Sequence, residues 1–349
     1  MFKSQDTTTS SNTAIAASIV ASILGLLYLR RKLIAMPLSD DEKLERDLLN
    51  ESESPLLANH SQSVQVRGHK LRVVYIPCTK PEAPLILFIH GLGGQASQWE
   101  AQLDFFAKRD TANLLAVDML GCGKSEISTE WDAYRTQSLA QDVIAVLHKY
   151  AKDDDDDKQQ IMVVGHSYGC AVATYVAASS SINNITTLVL IAPKAQLDAK
   201  QQKGKQWIRY IPNWLFDRGR RADRRGGLYS KSVNRFLNPD EEVDDGIRRR
   251  QLFWNLSSRT LVYKRYVYGV DLPTSDIYKK ITAKQVKLIG GSKDTMVPPS
   301  DMEIINRALD DHHQDLPLLV QGAGHMPMVT HANQINMTLT TLGHPYFSC

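Results

Sequence analysis

Cysteine is scarce in this sequence, which has four cysteines in 349 residues. This scarcity excludes a disulfide framework, because scaffolds that depend on disulfides are short chains dense in cysteine. Reduced thiols, as in a cytosolic protein, are therefore the prediction for Cys78, Cys122, Cys170 and Cys349.

A strong excess of charge of one sign is also missing, since the formal net charge is +3. So small an excess does not indicate a nucleic-acid-binding protein, and the sequence has no motif that reads DNA or RNA. Hydrophobic residues make up 43% of the chain and charged residues 23%, which is ordinary for a globular fold. A chain of this length can bury one large core, or one core with a modest second lobe.

Long apolar runs are absent except for one near the N-terminus, over residues 13–29. This run is uncharged and basic residues follow it at 30–32, whereas a cleavable signal carries its charge before the apolar stretch. A helix lying on a membrane surface would need a charged face, which the run lacks. Residues 1–36 are therefore predicted to hold a retained single-pass membrane anchor with its flanks.

The basic flank of this anchor predicts that the body of the protein lies on the cytoplasmic side. A short anchor suits a thin membrane such as the endoplasmic reticulum, with the mitochondrial outer membrane as the alternative. Residues 37–62 are acidic at first and then rich in Ser and Glu, and they are predicted to be a linker with one short helix.

A series of short apolar runs, separated by segments of helical length, begins at Ser63. This pattern predicts an α/β fold, in which a mostly parallel sheet is flanked by helices. The predicted strands are 64–66, 71–76, 85–89, 114–117, 161–164, 188–191, 286–289 and 316–320. Among the helices, residues 138–150 place apolar side chains at three- and four-residue spacing, as an amphipathic helix does. The core is predicted over 63–193 and 281–349.

Residues 194–280 interrupt this rhythm and are long enough to form a helical lobe. Between Lys194 and Arg235 there are twelve Lys or Arg against three Asp, with Trp207, Trp214 and Phe216 among them. Three hypotheses stay open for this basic lobe. It rests on an anionic membrane surface, it selects an acidic headgroup or an acyl chain in a ligand, or it is a lid whose charges are merely solvated.

Residues 165–169 read GHSYG, which fits the pattern G-x-S-x-G. They follow the predicted strand 161–164 and precede an Ala-rich run, which is the strand–turn–helix context of a nucleophile elbow. The pattern predicts that Ser167 is a nucleophile on a strained turn, with a helix N-terminus behind it that favours negative charge.

A serine nucleophile needs a base, and the base needs an acid that orients it. In this architecture the chain order is serine, acid, histidine. Asp294 follows the predicted strand 286–289 and His325 follows the strand 316–320, each in a Gly-rich loop. Because the carboxyl ends of parallel strands meet at one edge of a sheet, we expect Ser167, Asp294 and His325 to form a catalytic triad.

Residues 90–94 read HGLGG and directly follow the predicted strand 85–89. Their glycines let the backbone approach a ligand closely. The N–H groups of Leu92 and Tyr168 are therefore predicted to be the two donors of an oxyanion hole.

Over residues 63–342 the chain resembles the α/β-hydrolase fold family. The resemblance is carried by the HGLGG loop with Trp99 downstream, Asp118 with Gly121 and Gly123, the GHSYG elbow, Asp294 and His325. The stretches 102–106 and 166–169 resemble the eukaryotic α/β-hydrolase domain-containing serine hydrolases. The resemblance implies that residues 194–280 are a helical cap inserted before the acid-bearing strand. We further expect His90, Gly91, Trp99 and His166 to contact the substrate.

The resemblance also limits the chemistry. Epoxide hydrolases and haloalkane dehalogenases of this family carry an aspartate where Ser167 stands, so cleavage of an ester, thioester or amide fits better. Some lipid-related members with acyltransferase activity have His-x-x-x-x-Asp near the C-terminus. Here the fifth residue after His325 is Thr330, which puts that activity in doubt.

These observations predict a membrane-anchored serine hydrolase that cleaves carboxylic esters, above all of lipids, through an acyl-enzyme on Ser167. Membrane lipids or a lipid-like ester are the expected partners, nucleic acid is not, and the oligomeric state is open. No metal or organic cofactor is implied. The alternatives are a non-catalytic membrane adaptor with the same fold and a hydrolase of small soluble substrates that cleaves esters or C–C bonds.

Overall fold

An eight-stranded sheet organises the part of the chain that the computed structural model describes, which is residues 38–80, 82–154, 157–238 and 242–343, with Ser18, Ser22 and Gly25. The strands are β1 (Ser61–Val66), β2 (His69–Ile76), β3 (Leu85–Ile89), β4 (Asn113–Asp118), β5 (Ile161–His166), β6 (Ile185–Ile191), β7 (Gln285–Gly291) and β8 (Leu318–Val320). Their order across the sheet is β1-β2-β4-β3-β5-β6-β7-β8.

Neighbouring strands from β4 to β8 are parallel, whereas β2 pairs antiparallel with both β1 and β4. Every residue of β3, β4, β5 and β6 is buried. Helices cover both faces of a parallel sheet, so its central strands are apolar throughout and do not alternate. The predicted α/β class and all eight predicted strands are confirmed, with shifts of up to three residues at the strand ends.

Helices precede, connect and follow the strands. They are α1 (Asp40–Leu49), α2 (Pro55–Asn59), α3 (Glu100–Ala107), α4 (Thr136–Tyr150), α5 (Tyr168–Ala177), α6 (Ala199–Trp207), α7 (Asn213–Asp223), α8 (Lys231–Asn234), α9 (Asp245–Ser257), α10 (Thr260–Gly269), α11 (Ser275–Tyr278), α12 (Ser300–Ala308), α13 (Pro327–Thr330) and α14 (Ala332–Gly343). Leu139, Val143 and Val146 of α4 are buried at the spacing predicted for its apolar face.

The segment between β6 and β7 is helical, as expected for a cap, and contains α6 to α11. Hydrogen bonds tie it to the core, and two of them come from side chains of α9 and α10. The Tyr266 hydroxyl donates to the carbonyl of Leu120 at 2.9 Å, and the Trp254 indole N–H donates to the Ser97 hydroxyl at 2.9 Å. Contacts divide the chain into the units Met1–Leu44 and Glu45–Cys349, so the cap belongs to the same unit as the core.

Residues 37–62 differ from the predicted linker. Two helices and the start of β1 occupy this segment, and the side chains of Leu48 and Leu57 are buried. Glu53 forms an ion pair with the buried Arg72 at 3.0 Å. The prediction rested on the polar average of the segment, which conceals single leucines that pack against the body.

The predicted membrane anchor lies outside the described residues, apart from Ser18, Ser22 and Gly25. Over the part of the chain that the structure describes, no helix has the length and apolar character to cross a bilayer. This finding contradicts the prediction of a single-pass anchor, and with it a catalytic domain held at the endoplasmic reticulum or the mitochondrial outer membrane. The prediction rested on the run 13–29, which is shorter than the ~20 residues that a straight span needs.

Candidate active site

Ser167 lies at the tip of the turn between β5 and α5. Its backbone has φ 52° and ψ −121°, a conformation that residues with a side chain rarely adopt. The Ser167 N–H donates to the Ile191 carbonyl at 2.8 Å, which ties the turn to the end of β6. His166 and Tyr168 on either side are buried while Ser167 is partly exposed, so the turn presents the serine.

The two glycines of the GHSYG turn are required by close packing. A Cβ at Gly165 would lie 2.7 Å from the carbonyl oxygen of Gly169 and 2.9 Å from the Cβ of Ala173. A Cβ at Gly169 would lie 2.5 Å from the carbonyl oxygens of both Ile89 and His90. A larger residue at either position would push α5 away from the strands that carry the site.

The structure brings the three predicted triad residues together. Nε2 of His325 lies 2.9 Å from the Ser167 hydroxyl oxygen, and Nδ1 of His325 lies 2.7 Å from Oδ2 of Asp294. Because a carboxylate only accepts, the proton is on Nδ1, which leaves Nε2 free to take the serine proton. His325 and Asp294 are both buried, at 1% and 7% exposure, so water does not compete for these contacts.

Asp294 is held as a carboxylate by its hydrogen-bond partners. Its Oδ1 accepts the backbone N–H groups of Met296 at 2.8 Å and Val297 at 2.9 Å. Burial alone raises the pKa of Asp294, but the hydrogen bond and charge of His325 and the two amides outweigh burial, so that its pKa is lowered. The carboxylate therefore stays ionised and faces His325 in one orientation.

The loop of His325 is held by the cap. The Phe236 carbonyl accepts the His325 backbone N–H at 3.0 Å, and the Phe236 ring lies 5.9 Å from the imidazole. The Asn238 side chain donates to the Gly322 carbonyl at 2.8 Å. The sequence does not indicate these two hydrogen bonds, because nothing in its pattern pairs Phe236 and Asn238 with the distant loop of His325.

His166 contacts His325 through its ring and through the backbone of His325. Its Nε2–H donates to the His325 carbonyl at 2.8 Å, and the two rings lie 5.0 Å apart. Burial, followed by the neighbouring His325, lowers the pKa of His166 to about 3. His166 is therefore neutral at physiological pH and adds no positive charge to the site.

The residues predicted to contact substrate fall into two groups. Gly91 and His166 line the cavity, as do Leu92 and Tyr168, which are predicted to form the oxyanion hole. His90 and Trp99 have no exposed surface and lie behind the cavity wall, which argues against direct contact with substrate. The His90 ring instead donates to the Gly91 carbonyl at 2.7 Å and accepts the Met119 N–H at 3.0 Å, which holds the loop after β3.

A cavity of about 1040 Å³ lies between the triad and the cap. Ser167 and His325 line it, and most of its wall comes from the cap. Apolar lining side chains of the cap include Leu197, Ile208, Ile211, Leu215, Phe216, Phe236, Val267, Val270 and Leu272. This volume is at the upper end of typical ligand pockets, and its apolar wall suits a large, partly apolar ligand.

Asp310, His312 and His313 form a group with the spacing of metal ligands, since their donor atoms lie within 4.8 Å of one another. The group follows α12, and it includes no triad residue. The side chain of His313 already uses Nε2 in a contact of 2.6 Å with the Ala283 carbonyl.

Comparison with known proteins gives a match to the model of the alpha/beta hydrolase family over residues 86–336. This match covers well over half of the chain. The chain belongs to the alpha/beta hydrolase family. The sheet order, the serine turn and the triad geometry described above agree with that membership, and the sequence resemblance is confirmed.

Relatives of this alpha/beta hydrolase include an abhydrolase domain-containing protein of Schizosaccharomyces pombe, 28% identical over 71% of this chain and 73% of that protein. Protein ABHD8 of Homo sapiens is 34% identical over 30% of this chain and 24% of its own length. The match to ABHD8 thus spans about a quarter of that protein. These two relatives support the predicted placement among the eukaryotic abhydrolase domain-containing proteins.

Among solved structures, a thermophilic esterase from Thermogutta terrifontis matches with a TM-score of 0.63 and 17% identity. The match covers 82% of this alpha/beta hydrolase and 99% of that chain. At this low identity the likeness shows the shared fold alone. Together, the family and the triad geometry support hydrolase activity for this chain.

Proposed function

We propose that this alpha/beta hydrolase is a serine esterase that cleaves a carboxylic ester with a long acyl chain, through an acyl-enzyme on Ser167. The observation that carries the proposal is the continuous set of hydrogen bonds from Asp294 to His325 to Ser167, at 2.7 and 2.9 Å, at the edge of a large and mainly apolar cavity.

The first half of the reaction acylates the serine. His325 Nε2 takes the hydroxyl proton as the Ser167 oxygen attacks the ester carbonyl, and Asp294 stabilises the imidazolium that forms. The tetrahedral intermediate then collapses. The bond to the alcohol oxygen breaks, and His325 returns its proton to that oxygen so that a neutral alcohol leaves.

The second half releases the acid. Water donates a proton to His325 and attacks the acyl carbonyl, and the bond to Ser167 breaks as the serine recovers the proton. The net change is one water consumed, with one carboxylic acid and one alcohol formed. Both halves need only the residues of this chain.

The N–H groups of Leu92 and Tyr168 are proposed to stabilise the oxyanion. Both residues line the cavity, and a Cβ at the adjacent Gly91 would lie 3.1 Å from the Cβ of Ser167. This distance supports a close approach of the loop after β3 to the nucleophile. Donors fixed before the reaction can supply about 10²-fold to 10³-fold in rate each.

A fluorophosphonate probe tests the proposal, because it phosphonylates only an activated serine. We expect the wild-type chain to be labelled and the Ser167→Ala variant to show no labelling. Ser258→Ala is the matched control, since Ser258 lines the same cavity outside the triad and its removal should leave labelling intact. Absence of labelling in a folded wild-type chain would reject the proposal.

A series of esters that differ only in acyl length tests the long-chain part of the proposal. We expect kcat/KM to rise with acyl length, because each added methylene buries apolar surface in the cavity, with about 0.8 kcal/mol per methylene as the upper value. A preference for acetyl esters would instead favour the alternative of small soluble substrates.

A further inference from the structure

The helix α7 presents two kinds of surface to the catalytic cavity. Leu215 and Phe216 line the cavity from the N-terminal part of the helix. Arg220 and Arg224 line it from the C-terminal part of the helix and from just beyond its end. Phe216, Arg220 and Arg224 lie four residues apart, so these three share one face of the helix. At 1.5 Å per residue, Phe216 and Arg224 lie roughly 12 Å apart along the axis. The cavity wall along α7 thus changes from apolar to cationic.

Two more basic side chains line the cavity after the end of α7. They are those of Lys231 and Arg235. Among the described residues of the lining, Asp223 is the one acidic residue beside these cations, and both of its carboxylate oxygens accept from Arg235, at 2.9 and 2.7 Å. Arg224 pairs with Glu45 at 2.8 Å. The cationic end is defined here as Arg220, Arg224, Lys231 and Arg235.

Within the described part of the chain, two of these four cations form no ion pair. They are Arg220 and Lys231. The guanidinium of Arg220 donates to neutral oxygens, the Thr260 hydroxyl at 2.9 Å and the Asn255 carbonyl at 3.0 Å. The Thr260 hydroxyl in turn donates to Asp217, whose negative charge acts on Arg220 without forming an ion pair with it and which does not line the cavity. The positive charge that faces the cavity therefore exceeds the negative charge.

Holding this excess of positive charge in a partly buried place costs free energy, which an anionic ligand would offset. Arg220 is partly buried, and its burial together with the neighbouring Arg224 lowers the pKa of its guanidinium. A cavity that is lined by one sign of charge and has apolar walls concentrates ligands of the opposite sign. Phosphate and carboxylate groups match the planar donors of arginine.

The cationic end is also joined to the catalytic centre through the backbone. Arg235 directly precedes Phe236, whose carbonyl accepts the His325 N–H at 3.0 Å. The segment that carries Lys231 and Arg235 therefore also holds the backbone of His325.

We propose that the cationic end is a subsite for an anionic group, a phosphate or a carboxylate, on the acyl ester that this hydrolase cleaves, with Arg220 and Lys231 as its main contacts. The acyl chain occupies the apolar part of the cavity while the anion is held at the cationic end. This inference rests on the proposed esterase function and adds the charge of the substrate to it.

Three octanoyl esters test the subsite, those of glycerol, glyceric acid and glycerol 3-phosphate. They share the acyl chain and the scissile bond and differ in carrying no charge, a carboxylate or a phosphate. We expect kcat/KM of the wild-type chain to be about tenfold to a hundredfold higher for one or both anionic esters than for the neutral ester. The better of the two anionic esters identifies the anion.

Variants test whether Arg220 and Lys231 cause the preference for the anionic esters. Arg220→Gln and Lys231→Gln should each reduce the ratio of anionic to neutral kcat/KM by about tenfold. Lys231 lies on the cavity surface and is exposed, so its variant keeps the test valid where Arg220→Gln disturbs the fold. Arg221→Gln is the matched control, because Arg221 is exposed on α7 outside the cavity lining and should leave all three esters unchanged.

Binding of the same esters to the Ser167→Ala chain, measured by calorimetry, gives a readout without turnover. Equal affinity for the three esters, or variants that weaken all three alike, would overturn the subsite while leaving the esterase proposal intact. Failure of the esterase proposal has a different signature, in which no ester is turned over and the fluorophosphonate probe does not label the wild-type chain.

Discussion

Replacing Asp294 by asparagine changes one atom of the triad and tests how the carboxylate works. Oδ1 of Asp294 accepts two backbone N–H groups, at 2.8 and 2.9 Å, while Oδ2 accepts Nδ1–H of His325 at 2.7 Å. An asparagine in the same place must turn its carbonyl oxygen to the two amides, because an NH₂ group there would face two donors. Its NH₂ group then faces His325.

The consequence for His325 follows from the hydrogen-bond directions. Nδ1 must now accept, so the proton moves to Nε2, which lies 2.9 Å from the Ser167 hydroxyl. A protonated Nε2 cannot take the serine proton, and the reverse orientation leaves buried donors unpaired at a cost of about 1–3 kcal/mol. We expect kcat to fall by about 10³-fold to 10⁴-fold, which corresponds to roughly 4–5.5 kcal/mol of transition-state stabilisation.

The assay combines ester turnover, the rate of fluorophosphonate labelling and thermal unfolding. Both rates should fall together, while the unfolding midpoint changes little because the side chain keeps its shape. Asp301→Asn serves as control, since Asp301 is equally buried at 7% exposure but lies outside the triad, and its variant should keep full activity. A loss below about tenfold in Asp294→Asn, or an equal loss in both variants, would refute this account of the triad.

Two further predictions concern stability. Gly169→Ala places a Cβ 2.5 Å from two backbone oxygens, so we expect it to lower the free energy of unfolding by about 2–4 kcal/mol. A Cβ at Gly204 has nothing within 4 Å, so Gly204→Ala should stabilise α6 by up to ~1 kcal/mol. Denaturant titration measures both effects. Burial raises the pKa of Asp142 from 3.8 to about 6, so the folded chain binds this proton more tightly than the unfolded chain does. The stability that protonation of Asp142 contributes is therefore lost as pH rises through about 6. Asp142→Asn should therefore stabilise the chain by about 2–3 kcal/mol more at about pH 8 than at about pH 4, and an equal effect at both pH values would contradict the assignment.

Local patterns in the sequence determined the strands and the triad. The central strands are continuous apolar runs, because helices cover both faces of the sheet, so each run is visible without knowledge of its neighbours. Ser167, Asp294 and His325 each follow such a run directly in a loop with glycine, and the parallel sheet brings those loops to one edge.

Predictions from local patterns were wrong where the average composition of a segment was used in place of the packing of its single residues. The polar average of residues 37–62 conceals Leu48 and Leu57, which are buried. The apolar run 13–29 and its basic flank led to the wrong prediction of a membrane anchor. His90 and Trp99 belong to the sequence motif of the site, yet both are buried behind it. A motif identifies residues that build a site without separating those that touch the substrate from those that support them.

The sequence by itself therefore determined the fold class, the order of the triad and the basic character of the cap. Only the tertiary structure decided that Phe236 and Asn238 hold the histidine loop, that His166 supports His325, and that cations gather at one end of the cavity. The reason is physical. A strand or a turn is specified by neighbours along the chain, whereas these contacts join elements that meet only after the cap has folded onto the sheet.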